Sequence, residues 1–288
     1  MEIAIIIILT VVLLSILFSF LTYGKSGKVE PKVLTQKAVD DPKELTLLSI
    51  NMAHGRGDGR NQILQSNEVI KKYVNQIGEL IKREDANLVA MQEADAPSWW
   101  SGGFSHVENV AKLSHMHFAL QGEHVSGLGL CYGASLIGNL KVIDAKSQTF
   151  ERSIPTFSKG FVVVTCVWQG LDFDVVSLHL DFARDSVRKK QLNLLAEHLE
   201  KHHKPVVIMG DFNSDMSKEL LPNFMQRLNL HTWRENDKKI ITFRSLGGSR
   251  IDWVLVSSEF EIVEHKVLDD LISDHQAVKV VLRKVRDE

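Results

Sequence analysis

The sequence predicts an α/β domain. Short apolar runs rich in β-branched residues alternate with stretches of helical period, turn residues separate neighbouring strand candidates, and several runs stop abruptly at polar side chains. Of the 288 residues, 44% are hydrophobic and 24% charged, a balance that excludes a disordered, collagen-like or disulfide-scaffold chain. The net charge of −2 argues against a strongly cationic nucleic-acid clamp. Cys131 and Cys166 are too few for a disulfide framework or a four-cysteine zinc site, and are expected as buried small hydrophobes.

Ile3 to Leu21 carries no charge and has only Thr10, Ser15 and Ser19 as polar interruptions. At about 1.5 Å per residue a helix over this run reaches about 30 Å, the thickness of a bilayer's hydrocarbon core. Met1-Glu2 is a poor signal-peptide n-region and no A-x-A-like cleavage site follows, so residues 1–23 are expected to be a retained transmembrane anchor. Lys25, Lys28 and Lys32 follow the run, which by the positive-inside rule places the domain on the cytoplasmic side. Residues 24–43, with Gly24, Gly27, Pro31 and Pro42, are expected to form a solvated tether to a domain over residues 44–288.

Within that domain Leu45 to Ile50 and Asn87 to Met91 read as buried strands. Between them Ile70, Tyr73, Val74, Ile77, Leu80 and Ile81 recur at helical spacing, giving an amphipathic helix that must cover a sheet. Strand candidates follow at 129–137, 142–150, 161–168 and 173–180, then a helix over 186–202 presenting Leu192, Leu195 and Leu199. Pro205 opens a strand over 206–209, and further strands are expected at 251–256, 260–267 and 277–282.

Asn51, Glu93, His179, Asp211 with Asn213, and Asp274 with His275 each follow an apolar β-run, while Asp252 lies inside one. An Asn or Asp after a strand is commonly a turn former. Strand ends gather on one rim of a sheet, however, and the ordered combination supplies carboxylates, amides and imidazoles suited to metal binding and proton handling.

Leu48-Ser-Ile-Asn51, Gln92-Glu93, Ser177-Leu-His-Leu180, Gly210-Asp-Phe-Asn213, Arg250-Ile-Asp-Trp253 and Ser273-Asp-His275 together resemble the endonuclease/exonuclease/phosphatase superfamily, the deoxyribonuclease I-like fold, in that family's order. Thr242-Phe243 and the Arg188/Gln191 pair also resemble its pattern. The resemblance implies a four-layered α/β sandwich: two packed mixed β-sheets flanked by helices, here preceded by one transmembrane helix. It further implies that Glu93 is the principal ligand of a catalytic divalent metal, Mg²⁺ with Mn²⁺ as an alternative, with Asn51 beside it and Asp274 supporting the metal side. Asp211 and Asn213 would orient or deprotonate the attacking water. His275, paired with Asp252, would act at the scissile phosphate, and His179 would bind a phosphate oxygen or protonate the leaving group.

Arg56 and Arg60, in the Gly-rich loop after Asn51, are candidate phosphate-binding residues. Trp99-Trp100 and Phe104 could form an exposed aromatic lip or fold back as a minor core, and His115, His117, His202 and His203 are expected at the surface. The expected function is a membrane-anchored, Mg²⁺-dependent phosphodiesterase acting on a phospholipid or a nucleic acid. The alternatives are a membrane-anchored nuclease and a non-catalytic binding protein on the same fold; no obligate protein partner is expected.

Overall fold

The computed structural model describes residues 17, 20–35, 41–59 and 61–285. Most of the expected anchor, Ile3 to Leu21, lies outside the described residues, as does Arg60. Among the described residues no helix is long and apolar enough to cross a membrane.

In chain order the strands are β1 (Gly27–Lys28), β2 (Lys32–Val33), β3 (Leu45–Asn51), β4 (Leu88–Asp95), β5 (Phe118–Gln121), β6 (Val125–Gly127), β7 (Leu130–Gly138), β8 (Lys141–Thr149), β9 (Gly160–Trp168), β10 (Leu171–His179), β11 (Val206–Asp211), β12 (Leu230–His231), β13 (Asp252–Ser257), β14 (Phe260–Val267) and β15 (Val278–Lys284). Within residues 41–285 the α-helices are α1 (Asn67–Arg83), α2 (His106–Leu113), α3 (Asp185–Glu200) and α4 (Leu220–Arg227). One sheet has the order β14-β15-β3-β4-β7-β5-β2, with β6 on β7; the other runs β1-β8-β9-β10-β11-β13-β12. Both are mixed, since β3 pairs parallel with β4 and β10 parallel with β11 while their other neighbours are antiparallel.

The two sheets pack face to face over a core that includes Leu45, Leu47, Leu88, Ala90, Phe173, Val175, Val207, Met209, Val254 and Val256. On the outer face of the first sheet, α1 and α2 cover Leu48, Ile50, Val89 and Met91. On the outer face of the second, α3 and α4 cover Val176, Leu178, Val206, Ile208 and Leu255. The result is the expected α/β/β/α sandwich. The helix expected over 186–202 is α3, and its Leu192, Leu195 and Leu199 are buried as its period requires.

Side chains in a strand alternate between faces, so the inward rows read Leu45-Leu47-Ser49-Asn51 on β3, Phe173-Val175-Ser177-His179 on β10 and Val207-Met209-Asp211 on β11. Each row is apolar in the middle of the sandwich and polar at one end. The hydrophobic core therefore runs directly into a polar rim.

Residues 24–35, expected as tether, instead lie along the edges of the domain. Gly27–Lys28 pairs with β8, Lys32–Val33 pairs with β5, and Tyr23 bridges Ser126. The three lysines read as a cytoplasmic flank each meet an acid on the domain: Lys25 with Glu123 at 2.7 Å, Lys28 with Asp144 at 3.7 Å and Lys32 with Glu108 at 2.7 Å. Two helices escaped the periodicity. Eight-residue α2 offers few apolar repeats, although Ser105 caps it by accepting from Glu108 N, and Pro222 in the first turn of α4 disguises that segment.

Gly210 precedes Asp211 with φ +145, and a Cβ there would sit 2.0 Å from Leu178 O on the neighbouring strand. Gly210→Ala should therefore force β10 and β11 apart and cost at least about 2 kcal/mol. Urea unfolding measures this, and an unchanged midpoint would contradict it.

Candidate active site at the sheet rim

Register gathers the site. Across three neighbouring strands His179 stands beside Asp211 and Asp211 beside Asp252, so the three side chains share one face. From the opposing sheet Asn51 Nδ2 donates to Asp211 Oδ2 at 3.0 Å, while its Oδ1 accepts from Ala53 N. A second cross-sheet hydrogen bond, Gln92 Nε2 to Ser177 Oγ at 3.0 Å, lies one layer deeper. The loop between β14 and β15 closes the rim: Ser273 Oγ donates to Asn51 O at 2.6 Å, and His275 follows two residues later.

His275 Nδ1 lies 2.9 Å from Asp252 Oδ2, and its Nε2 is 3.9 Å from Asp211 Oδ2. Burial alone would lower the pKa of this imidazole, but Asp252 and Asp211 outweigh it and push it up to about 10. Burial pushes Asp211 up to about 7, with His275 opposing and Asp252 reinforcing. Asp211 is oriented by Asn213 N, which donates to its other oxygen at 2.9 Å, and Asn213 Nδ2 donates to Leu180 O. His179, 3.5 Å from Asp211, is held well below the ordinary imidazole value by burial and by Lys159, and is neutral.

Glu93 reaches the rim through a local irregularity. The β4–β7 register shifts between Met91 and Ala94, and Glu93 takes φ +48, so a residue adjacent to inward-facing Gln92 is re-aimed. Its carboxylate meets His54 Nε2 at 3.5 Å, Arg56 Nη1 at 3.5 Å and Lys159 Nζ at 3.6 Å. Burial opposes its ionisation, but the charges around it, His54 first, then Lys159 and Arg56, hold it well below the ordinary carboxylate range. These contacts lie beyond good hydrogen-bond length, so the oxygens are held by a field of positive charge and keep lone pairs to offer. An ionised carboxylate suits a hard divalent cation, and Asn51, which pairs with Gln92 across β3 and β4, ends its strand on the same rim.

Asp211, Asp252 and His275 also bring ligand atoms within 4.8 Å of one another. One of those contacts is the His275–Asp252 hydrogen bond, which a cation in that cluster would have to replace. Asp274, expected on the metal side, faces Arg56, whose Nη2 donates to it at 2.7 Å. The candidate phosphate-binding Arg56 is thus in the site, while Arg60 lies outside the described residues.

Two residues that touch Glu93, Lys159 and His54, were not singled out from the sequence. Lys159 comes from the β8–β9 loop, where a lone lysine gives no signal. His54 packs against both Trp100 and Tyr132, which also contact each other, and its Nδ1 is 2.7 Å from the wholly buried Asp95. The readable cue was the spacing Asn51-x-x-His54-Gly55 just after a strand. The aromatic pair divides: Trp100 folds inward and donates to Asp95, while Trp99 remains exposed. Arg188 and Gln191 are structural, since Arg188 donates to Asp181 O and Gln191 accepts from Asp181 N, fixing the turn after His179. His115, His202 and His203 are exposed and His117 half-buried; Cys166 is buried and Cys131 partly so.

The chain belongs to the endonuclease/exonuclease/phosphatase family, which it matches over residues 48–275. Members of that family are generally hydrolases of phosphoester bonds and typically use divalent metals. Solved structures share the fold. A family protein from Leptotrichia buccalis C-1013-b is 17% identical with a TM-score of 0.64, covering 83% of this chain and 99% of its own. A mannosyl-6-phosphatase from Bacteroides thetaiotaomicron VPI-5482 is 18% identical with a TM-score of 0.65, again over 83% and 99%. A humanized D. rerio TDP2 is 12% identical with a TM-score of 0.62, over 84% and 100%. Comparison with curated proteins finds no match.

His54→Ala would leave the buried Asp95 carboxylate with the Trp100 indole and should destabilise the fold by about 3 kcal/mol at neutral pH. Burial raises the Asp95 pKa, but His54, His106 and Trp100 outweigh it and hold it lowered. Its contribution is therefore present above the unfolded value of 3.8 and is lost as pH falls through the lower folded value. Unfolding curves for the two proteins should converge in acid, and a gap independent of pH would contradict this.

Proposed function

We propose that the protein is a membrane-held, Mg²⁺-dependent phosphodiesterase that hydrolyses a P–O bond by in-line attack of water. The observation that carries this reading is the convergence, from both sheets, of Glu93 and Asn51 with Asp211, Asn213, Asp252, His275 and His179. A non-catalytic binder has no need of a buried carboxylate raised to about 7 beside a histidine raised to about 10.

Glu93, with Asn51, would hold the metal, which offsets negative charge on the phosphoryl oxygens. Asp211, fixed by Asn51 and by Asn213 N, accepts a proton from the attacking water. Charged His275, steadied by Asp252, donates toward a non-bridging oxygen as charge builds there. Neutral His179 offers one N–H to a phosphoryl oxygen, a better match to its protonation state than the role of leaving-group acid, so the departing oxygen takes its proton from solvent water and the proton held by Asp211 returns to solvent. Arg56 and Lys159 add positive charge at the mouth.

The apolar run Ile3–Leu21 supports a membrane anchor, and Lys25, Lys28 and Lys32 after it support a cytoplasmic domain, because insertion reads the chain before those lysines find their acids. The anchor favours a phospholipid over a nucleic acid as substrate. A sugar phosphomonoester is the second reading, favoured by the likeness to a mannosyl-6-phosphatase.

The full chain in detergent should hydrolyse mixed phospholipids in a Mg²⁺-dependent manner, with supercoiled plasmid and a hexose 6-phosphate as the competing substrates. His275→Ala should lower kcat at least about 10²-fold. Glu93→Gln should weaken the Mg²⁺ dependence and the rate together. Turnover that ignores both substitutions would remove these residues from the mechanism, and preferred cleavage of plasmid or sugar phosphate would reassign the substrate.

A further inference from the structure

The end of the apolar N-terminal run is seated beside the catalytic rim. Leu21 O and Thr22 Cα lie against Gly127 on β6, where a Cβ would approach them to 2.9 and 3.5 Å. Tyr23 bridges Ser126, and Arg152 donates to Thr22 O with its guanidinium 5.6 Å from the Phe20 ring. From there contacts run around the site mouth in both directions. On one side Leu128 O accepts from Trp99 Nε1 at 3.0 Å, and the adjoining Trp100 packs on His54, the neighbour of Glu93. On the other, Arg152 adjoins Ser153, whose Oγ donates to Asp181 at 2.8 Å, two residues beyond His179.

This lip carries large apolar side chains that face solvent: Phe20, Leu21, Trp99 and Leu128 along one stretch, and Phe182, 63% exposed, beside Asp181. Flanking it, Arg152, Arg184 and Lys190 line a groove of about 430 Å³ in which Glu151 is the one acid. Exposed aromatic and aliphatic side chains beside a basic groove match an interface where acyl chains meet anionic headgroups. Residues 24–35 are fastened to the sheet edges, so no free tether separates the domain from the apolar run.

We propose that this lip is a bilayer-contact surface, so that the anchored domain rests on the membrane with its catalytic mouth against anionic headgroups. The proposal rests on the reading of Ile3–Leu21 as a membrane segment and narrows the substrate to phosphoesters presented at the lipid surface. Trp99, Leu128 and Phe182 enter the headgroup region, and the basic groove holds an anionic lipid beside the site.

The test uses the full chain in vesicles of phosphatidylcholine and phosphatidylglycerol in equal parts, some acyl chains carrying a spin-label quencher. In a Cys131→Ser background, a fluorophore is attached at Leu128→Cys, at Phe182→Cys or at Asp172→Cys, the last an exposed position at the opposite end of β10. Quenching at 128 and 182 but not at 172 is expected. Protein that floats with the vesicles yet is unquenched at 128 and 182, or equally quenched at 172, overturns the surface while leaving the anchor standing. Protein that does not float overturns both. Because the readout is independent of turnover, a failure of the phosphodiesterase reading is seen separately, in the hydrolysis assay.

Discussion

The hydrogen bond from Asn51 to Asp211 joins the two sheets at their common rim, and the chemistry of the site follows from that closure. In each sheet a parallel pair, β3–β4 or β10–β11, brings neighbouring strands to end at the same height. The packed interior fixes how the two rims meet, because Leu47, Val175 and Met209 fill the sandwich just below Ser49, Ser177 and Asp211. Gln92 and Ser177 tie the next layer, so the rim cannot slide without breaking buried polar contacts.

That closure concentrates charge where water is scarce. Asp211 and Asp252 lie side by side in register and buried, and although His275, Asn213 N and Asn51 oppose it, burial carries Asp211 up to about 7, while the two carboxylates carry the His275 imidazole up to about 10. Glu93 meets the opposite situation, surrounded by His54, Arg56 and Lys159, and stays ionised. Two carboxylates of the same rim are thus driven apart, one toward taking up a proton and the other toward holding positive charge. Strain accompanies this: His54, Glu93 and Asn213 all adopt positive φ without being glycine.

Much of this was legible in the sequence, for physical reasons. Strands that end a buried run in Asn, His or Asp announce a rim, and the order of those endings carries the family. What stayed hidden needs three dimensions. Lys159 reaches Glu93 from a loop between two antiparallel strands, and Asp274 turns to Arg56 although its neighbour His275 turns to Asp252. The segment read as tether illustrates the limit of composition: Gly27 and Lys32 look solvated, yet two-residue strands suffice to lay them on sheet edges.

The central claim is that residues from the two sheets act as one catalytic unit, and a double-mutant comparison tests it most directly. kcat/KM would be measured for Glu93→Gln, Asp211→Asn and the combined variant on a phosphoester that the wild type hydrolyses. If the rim works as a unit, the combined variant should be nearly as active as the slower single one. Losses that multiply would mean that Glu93 and Asp211 contribute independently, and would contradict the account.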